Sequence, residues 1–169
     1  MRWRMTIGCV SLVVLLLGLH AAARNQQNPY RLKEADQKKA CLACHADFGE
    51  KLKKAFVHTP VRSGECTECH DPHVSSHGKL LSGDAGRLCF GCHGGVIPAA
   101  ARSTHKVVAD GECQKCHDPH AADTKAILVA GGDALCFGCH KELGEAISQA
   151  RFKHNPVGQG CLTCHSPHG

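Results

Sequence analysis

Six times the chain places two cysteines three positions apart with a histidine directly after the second. The sites are Cys41, Cys44 and His45; Cys66, Cys69 and His70; Cys89, Cys92 and His93; Cys113, Cys116 and His117; Cys136, Cys139 and His140; and Cys161, Cys164 and His165. On a short helical turn this spacing presents both sulfurs and the imidazole to one side. The thiols are then set to form thioethers with the two vinyl groups of a single haem, and the imidazole binds its iron from one face; the pattern is the attachment signature of haem c. Zinc is the rival reading, since six cysteine pairs could build three four-cysteine sites. Disulfides across each pair would suit an oxidising compartment. Both rivals leave the histidine at one fixed offset unexplained. The chain has 14 histidines and only 8 stand outside the motifs, so six at that offset by accident is negligible. The expectation is six covalent haems c.

What each iron does depends on its other face. With two protein ligands it is closed and passes electrons only; with an open face it can bind and activate a small molecule. Beyond the N-terminal apolar run, seven histidines lie outside the motifs: His58, His73, His77, His105, His120, His154 and His168. Alignment of the repeats places His58 with His105 and His154, and His73 with His120 and His168. His77 falls opposite Thr124 and is the spare. Six repeat-related histidines thus face six irons, and Met1 and Met5, the only methionines, lie in the leader. Bis-histidine ligation throughout is the expectation, with an iron left open by a surface histidine as the alternative. His73 is too close to His70 to reach the other face of the same haem. A helical run from His45 would carry His58 about 20 Å away. The pairing expected on these grounds sends His58, His105 and His154 to the even-numbered motifs and His73, His120 and His168 to the odd ones.

The elements that position these residues repeat as well. Motifs start at 41, 66, 89, 113, 136 and 161, and every second start is separated by 47 or 48 residues. The repeating unit is therefore a pair of motifs, in an architecture that grows by stacking. The divisions expected are a leader at 1–23, an N-terminal segment at 24–40 and a haem-bearing domain at 41–169. Within the last, units at 58–104 and 105–153 are flanked by half-units at 41–57 and 154–169. A helix is expected from Leu32 through the first motif, continuing as an amphipathic helix on which Phe48, Leu52 and Phe56 recur at a spacing of four. The run KELGEAISQARF after His140 reads as helix. The run after His93 contains Gly94, Gly95 and Pro98 and is broken at its start. The fold class expected is mostly α with much irregular loop and few or no strands, packed around haem.

Composition supports a haem-dependent fold. Motifs recur every 23 to 25 residues, a density at which apolar side chains cannot build a core, and such chains depend on metals or disulfides. The N-terminus reads as a secretion signal: Arg2 and Arg4, an apolar run from Met5 to Leu19, then Ala21-Ala22-Ala23. The run is short for a membrane helix, so no transmembrane segment is expected after cleavage. The thirteenth cysteine, Cys9, leaves with it. The formal charge of +5 falls to +3 without Arg2 and Arg4. Two propionates per haem, set against one net positive charge per ferric centre, bring the oxidised holoprotein near −3. No nucleic-acid partner is expected, since that footprint needs a clustered basic face.

The pattern H-x₇-C-x-x-C-H-D-P-H, followed by a leucine-rich loop and L-C-F-G-C-H, resembles the multihaem c-type cytochromes of the doubled CXXCH motif family over residues 41–169. The resemblance implies covalent haem c, bis-histidine ligation and respiratory electron transfer in the periplasm or at the cell surface of a Gram-negative bacterium. The implied partners are a quinol-linked membrane donor and a downstream reductase or outer-membrane cytochrome. Two departures stand out: His154 to Cys161 is one residue shorter than the earlier copies, and His168 is followed only by Gly169. The expected activity is electron carriage rather than enzymatic turnover, since no odd motif such as C-x-x-C-K and no inserted domain is there to build a pocket and Tyr30 is the only tyrosine. Histidine pairs do not raise the iron potential as Met/His ligation does, which suits anaerobic respiration. The alternatives are a multihaem reductase of the nitrite or hydroxylamine type, and a subunit of a porin–cytochrome complex or cytochrome filament.

Overall fold

The computed structural model describes residues 34–169. The leader expected at 1–23 and most of the segment at 24–40 lie outside them. The described chain runs through α1 (Glu34–Cys44), a 3₁₀ helix (Ala46–Lys53), β1 (Phe56–Val57), α2 (Thr59–Ser63), α3 (Ala85–Cys92), α4 (Lys106–Ala109), β2 (Ala121–Ala122), α5 (Asp133–Phe137) and α6 (Lys141–Gln149), joined by short 3₁₀ turns and loops. About half of it is helical, and its one sheet is the antiparallel pair β1–β2, with Phe56 opposite Ala122 and Val57 opposite Ala121. The mostly α, loop-rich fold class is as the sequence indicated.

Odd and even motifs sit on different elements. Cys41 and Cys44 end α1, Cys89 and Cys92 end α3, and Cys136 lies on α5. The even motifs open single 3₁₀ turns at Cys66–Glu68, Cys113–Lys115 and Cys161–Thr163. In all six the histidine N–H donates to the carbonyl of the first cysteine, at 2.9 to 3.1 Å. That bond closes one turn, and it is what brings two sulfurs and an imidazole to one side.

Side-chain burial contributes little. Among the described residues the buried apolar side chains are Ala121 and Ala122, and the buried polar one is Gln37. Two alanines cannot offset the ordering cost of a domain of this length, so the fold needs a further apolar body to pack against. No helix among the described residues is long and apolar enough to cross a membrane.

One expectation about the elements is corrected. The stretch after His45 is 3₁₀ rather than α-helical and stops at Lys53, leaving Phe56 on a strand. Gly49 is a poor residue for a helix interior, and the backbone of Phe56 pairs across to Ala122 instead. The loop TPVRSGE after His58 contains the helical turn α2, started by Pro60 in its first turn and stopped by Gly64 in the left-handed conformation (φ 87°).

The contact that joins the two motif types recurs three times. The residue three before each odd motif meets the left-handed glycine just before the following even motif. A Cβ on Gly64 would lie 2.6 Å from Lys38 Cβ, one on Gly111 2.9 Å from Gly86 Cα, and one on Gly160 3.4 Å from Asp133 Oδ1. Only glycine holds φ between 73° and 101° there without strain. At Gly86 and Gly111 both partners lack a side chain, and the backbones touch.

Candidate functional site

Those glycine contacts bring cysteines of successive motifs together. The Cys66 thiol is in hydrogen-bond contact with Cys41, Cys89 with Cys113, and Cys161 with Cys136. Between the pairs the second cysteines approach instead, Cys69 to Cys92 and Cys116 to Cys139. Each interior motif therefore meets the previous motif through one cysteine and the next through the other, and the six follow one another in space in chain order. Burial and then the neighbouring Cys113 push Cys89 up to about 11. The Asp133 carboxylate, then burial, then Cys136 push Cys161 up to about 11. All twelve motif cysteines are free of disulfides. Among the described residues no three of His, Cys, Asp or Glu converge on a point that would hold a bare metal ion.

The histidines form pairs of one kind. His58 faces His93, His70 faces His120, His105 faces His140, and His117 faces His168. Ring centres lie 6.0 Å apart in the first pair and 6.1 Å in the other three, and the planes are within 14° to 25° of parallel. Ordinary aromatic contacts spread over about 4.5 to 7 Å, whereas four separate pairs here agree within 0.1 Å. Two metal–nitrogen bonds of about 2.0 Å, with each ring centre about 1.1 Å beyond its nitrogen, span about 6.2 Å. Every pair joins one motif histidine to one outside the motifs. The residues fit haem c: cysteines for its edge and opposed imidazoles for its iron.

This pairing reverses the one expected from chain distance. His58 and His105 face the odd motif histidines His93 and His140, and His120 and His168 face the even ones, His70 and His117. The reason is local. His58, His105 and His154 each cap the start of a helical segment in extended conformation, with ψ between 122° and 135°. The extended backbone before His58 pairs with that after His120, which carries His58 into the next motif pair. His45 and His165 face no second imidazole among the described residues, and neither do His73, His77 and His154.

Hydrogen bonds fix the ring orientations. His70 Nδ1 lies 2.9 Å from the Lys79 carbonyl, His117 Nδ1 2.8 Å from that of Ala126, and His58 Nδ1 3.0 Å from that of Pro119. A ring that donates from Nδ1 keeps Nε2 as a neutral lone pair for a metal. The carbonyls of Lys79 and Ala126 stand on strained segments, because Lys79, Leu80, Ala126 and Ile127 are all left-handed, with φ between 51° and 59°. Such non-glycine backbone costs roughly 1 kcal/mol or more per residue and clusters where function requires it. Sequence reading missed these residues, since nothing in GKLLSG or TKAILV signals the conformation. Burial, and then the nearby Lys51, lower the basicity of His120; burial, and then His117, do the same for His168. Both shifts favour the neutral form a metal requires. Phe48 packs edge-on against the His120 ring at 4.9 Å.

The doubled CXXCH motif family matches the chain twice, over residues 58–97 and 105–145. The fold and these sites define a multihaem c-type cytochrome, a class that binds haem c covalently and works in electron transfer. The chain belongs to the doubled CXXCH motif family. No match to a curated protein was found.

Proposed function

We propose that the chain carries electrons through six haems c, one on each motif, as a periplasmic or cell-surface carrier in the anaerobic respiration of a Gram-negative bacterium. When bound, haem c supplies a one-electron ferric/ferrous couple. The observation that carries the reading is the combination of opposed imidazoles with a cysteine relay that links each motif to the next. Opposed imidazoles at His70, His93, His117 and His140 leave no face for a substrate. The relay sets successive sites side by side, with those of His45 and His165 at the two ends. The redox partners would be a quinol-linked membrane donor at one end and a reductase or outer-membrane cytochrome at the other. Histidine rings that donate from Nδ1 to carbonyls suit the low potentials such a chain needs.

A second reading, a reductase with an open iron, is favoured by one observation: His45 and His165 face no second imidazole. Haem quantitation after alkaline pyridine treatment, with electron paramagnetic resonance of the oxidised protein, separates the two. The carrier reading expects six haems per chain and low-spin ferric signals only. A high-spin signal of at least one spin per chain, with turnover of nitrite or hydroxylamine, would replace it with the reductase.

A further inference from the structure

Grouped by the glycine contacts, the motifs form three pairs: Cys41 with Cys66, Cys89 with Cys113, and Cys136 with Cys161. Adjacent pairs exchange histidines. Across the first joint His58 reaches forward to face His93, and His120 reaches back to face His70. Across the second, His105 reaches forward to His140 and His168 reaches back to His117. The rule leaves four residues over. The third pair has His154 reaching forward and His165 unfaced; the first pair has His73 reaching back and His45 unfaced. They are the two complementary halves of one more joint.

The backbone shows the same halves. In the first joint Phe56 and Val57 pair with Ala122 and Ala121. The residues equivalent to Phe56 and Ala121 are Phe152 and Val74, which have no strand partner. Ala121 is 1% exposed and its equivalent Val74 is 74% exposed. Phe56 is 40% exposed and its equivalent Phe152 is 86% exposed. Asp118 receives Lys51 at 2.7 Å, while its equivalent Asp71 meets no lysine or arginine among the described residues. Two large apolar side chains thus stand far more exposed than the residues at the same repeat positions of the internal joint.

We infer that a second copy of this chain completes that joint head to tail: His154 ligates the iron held by His45 of the next copy, and His73 of the next copy ligates the iron held by His165. The inference rests on the six-haem reading above. The occupant is another copy because the complementary half is present on this chain, in the register its internal joint uses. The contact joins two different surfaces, so it propagates into an open filament unless the rotation closes a ring. Every iron within the assembly is then closed, and the relay of haems continues from chain to chain.

The test is the mass of the purified holoprotein by light scattering, with negative-stain images, and carbon monoxide binding after reduction. Wild type is expected as filaments that bind carbon monoxide only at their two ends, or as closed rings that bind none. His154→Ala and His73→Ala are each expected to leave single chains or short assemblies and to open at least one carbon monoxide site per chain. Phe152→Ser, which alters no ligand, is expected to shift assembly to at least tenfold higher protein concentration while haem content stays at six. Wild type that stays a single chain with six haems at hundreds of micromolar overturns the inference alone. Assembly unchanged in both histidine variants, with no new carbon monoxide site, also overturns it. Fewer than six haems per chain in wild type overturns the six-haem reading and this inference with it.

Discussion

The backbone N–H of His58 donates to the carbonyl of His120 at 2.9 Å, and the His58 ring lies 3.0 Å from the next carbonyl back, that of Pro119. These two histidines face different motifs, at His93 and His70, so one short strand contact orients the rings that face two motifs at once. The contact is also where Ala121 and Ala122 are buried. Overpacking it, with Ala121→Leu, should force the strands apart at a cost of about 1–3 kcal/mol. The expected spectroscopic result is that two low-spin ferric signals change together while the others stay. A change confined to one signal would show that the two ligands are not mechanically linked.

The left-handed residues behind the motif histidines offer a second test. At Ala126 (φ 57°) a glycine relieves the Cβ strain, though it adds unfolded-state entropy. Ala126→Gly should therefore be neutral to stabilising by up to about 1 kcal/mol, with the His117 bond to its carbonyl kept. Thermal denaturation of the holoprotein and the reduction potentials check this: a raised or unchanged midpoint, with potentials unmoved. A potential shift would mean that the strain itself tunes the iron.

The Gly86–Gly111 crossing sets the distance between the third and fourth motifs. A Cβ on either residue meets backbone at 2.8 or 2.9 Å, and backbone cannot step aside as a flexible side chain does. Gly86→Ala and Gly111→Ala should each destabilise by about 2 kcal/mol or more. The double variant should cost less than the sum of the two, since both open the same gap. Denaturant midpoints give the comparison, and additive costs would contradict the contact.

Acid should weaken the first joint by a defined route. Asp123 is held below the usual carboxylate range by its hydrogen bond from Lys54, at 2.7 Å, and by the N–H of Ala55. A carboxyl whose folded value is depressed stabilises the fold above its unfolded value, near pH 4, and that contribution is lost as pH falls through the folded value. Asp123→Asn should therefore flatten the stability profile below about pH 4 and leave an exposed-pair effect of modest size at neutral pH. An acid limb identical to wild type would show the pair to be inert.

The chemistry of this chain was legible from spacing because covalent attachment demands a fixed arrangement of Cys41, Cys44 and His45 and of its five copies. Alignment of the repeats singled out six histidines, and four of them, His58, His105, His120 and His168, face motif histidines, whereas His73 and His154 face none among the described residues. Their partners were not legible. Chain distance suggested that His58 would fold back over the nearest motif, but a two-residue strand, too short to leave a hydrophobic pattern, carries it into the next pair. Phe56 was read as the end of a helical stripe for the same reason. The glycines before Cys66 and Cys113 were visible in the sequence. Their contacts three residues ahead of each odd motif emerged only in three dimensions, because the partner residues, Lys38, Gly86 and Asp133, share no chemistry.

The Gly86–Gly111 crossing has a consequence for descent. Each motif pair carries its own closure, and it addresses its neighbours only through a forward-reaching and a backward-reaching histidine. Duplicating or deleting one segment of about 47 residues, a length at which repeat arrays commonly grow, would leave every surviving junction in register. Conductor length can thus change during evolution by whole modules, with no other position along the array having to adapt.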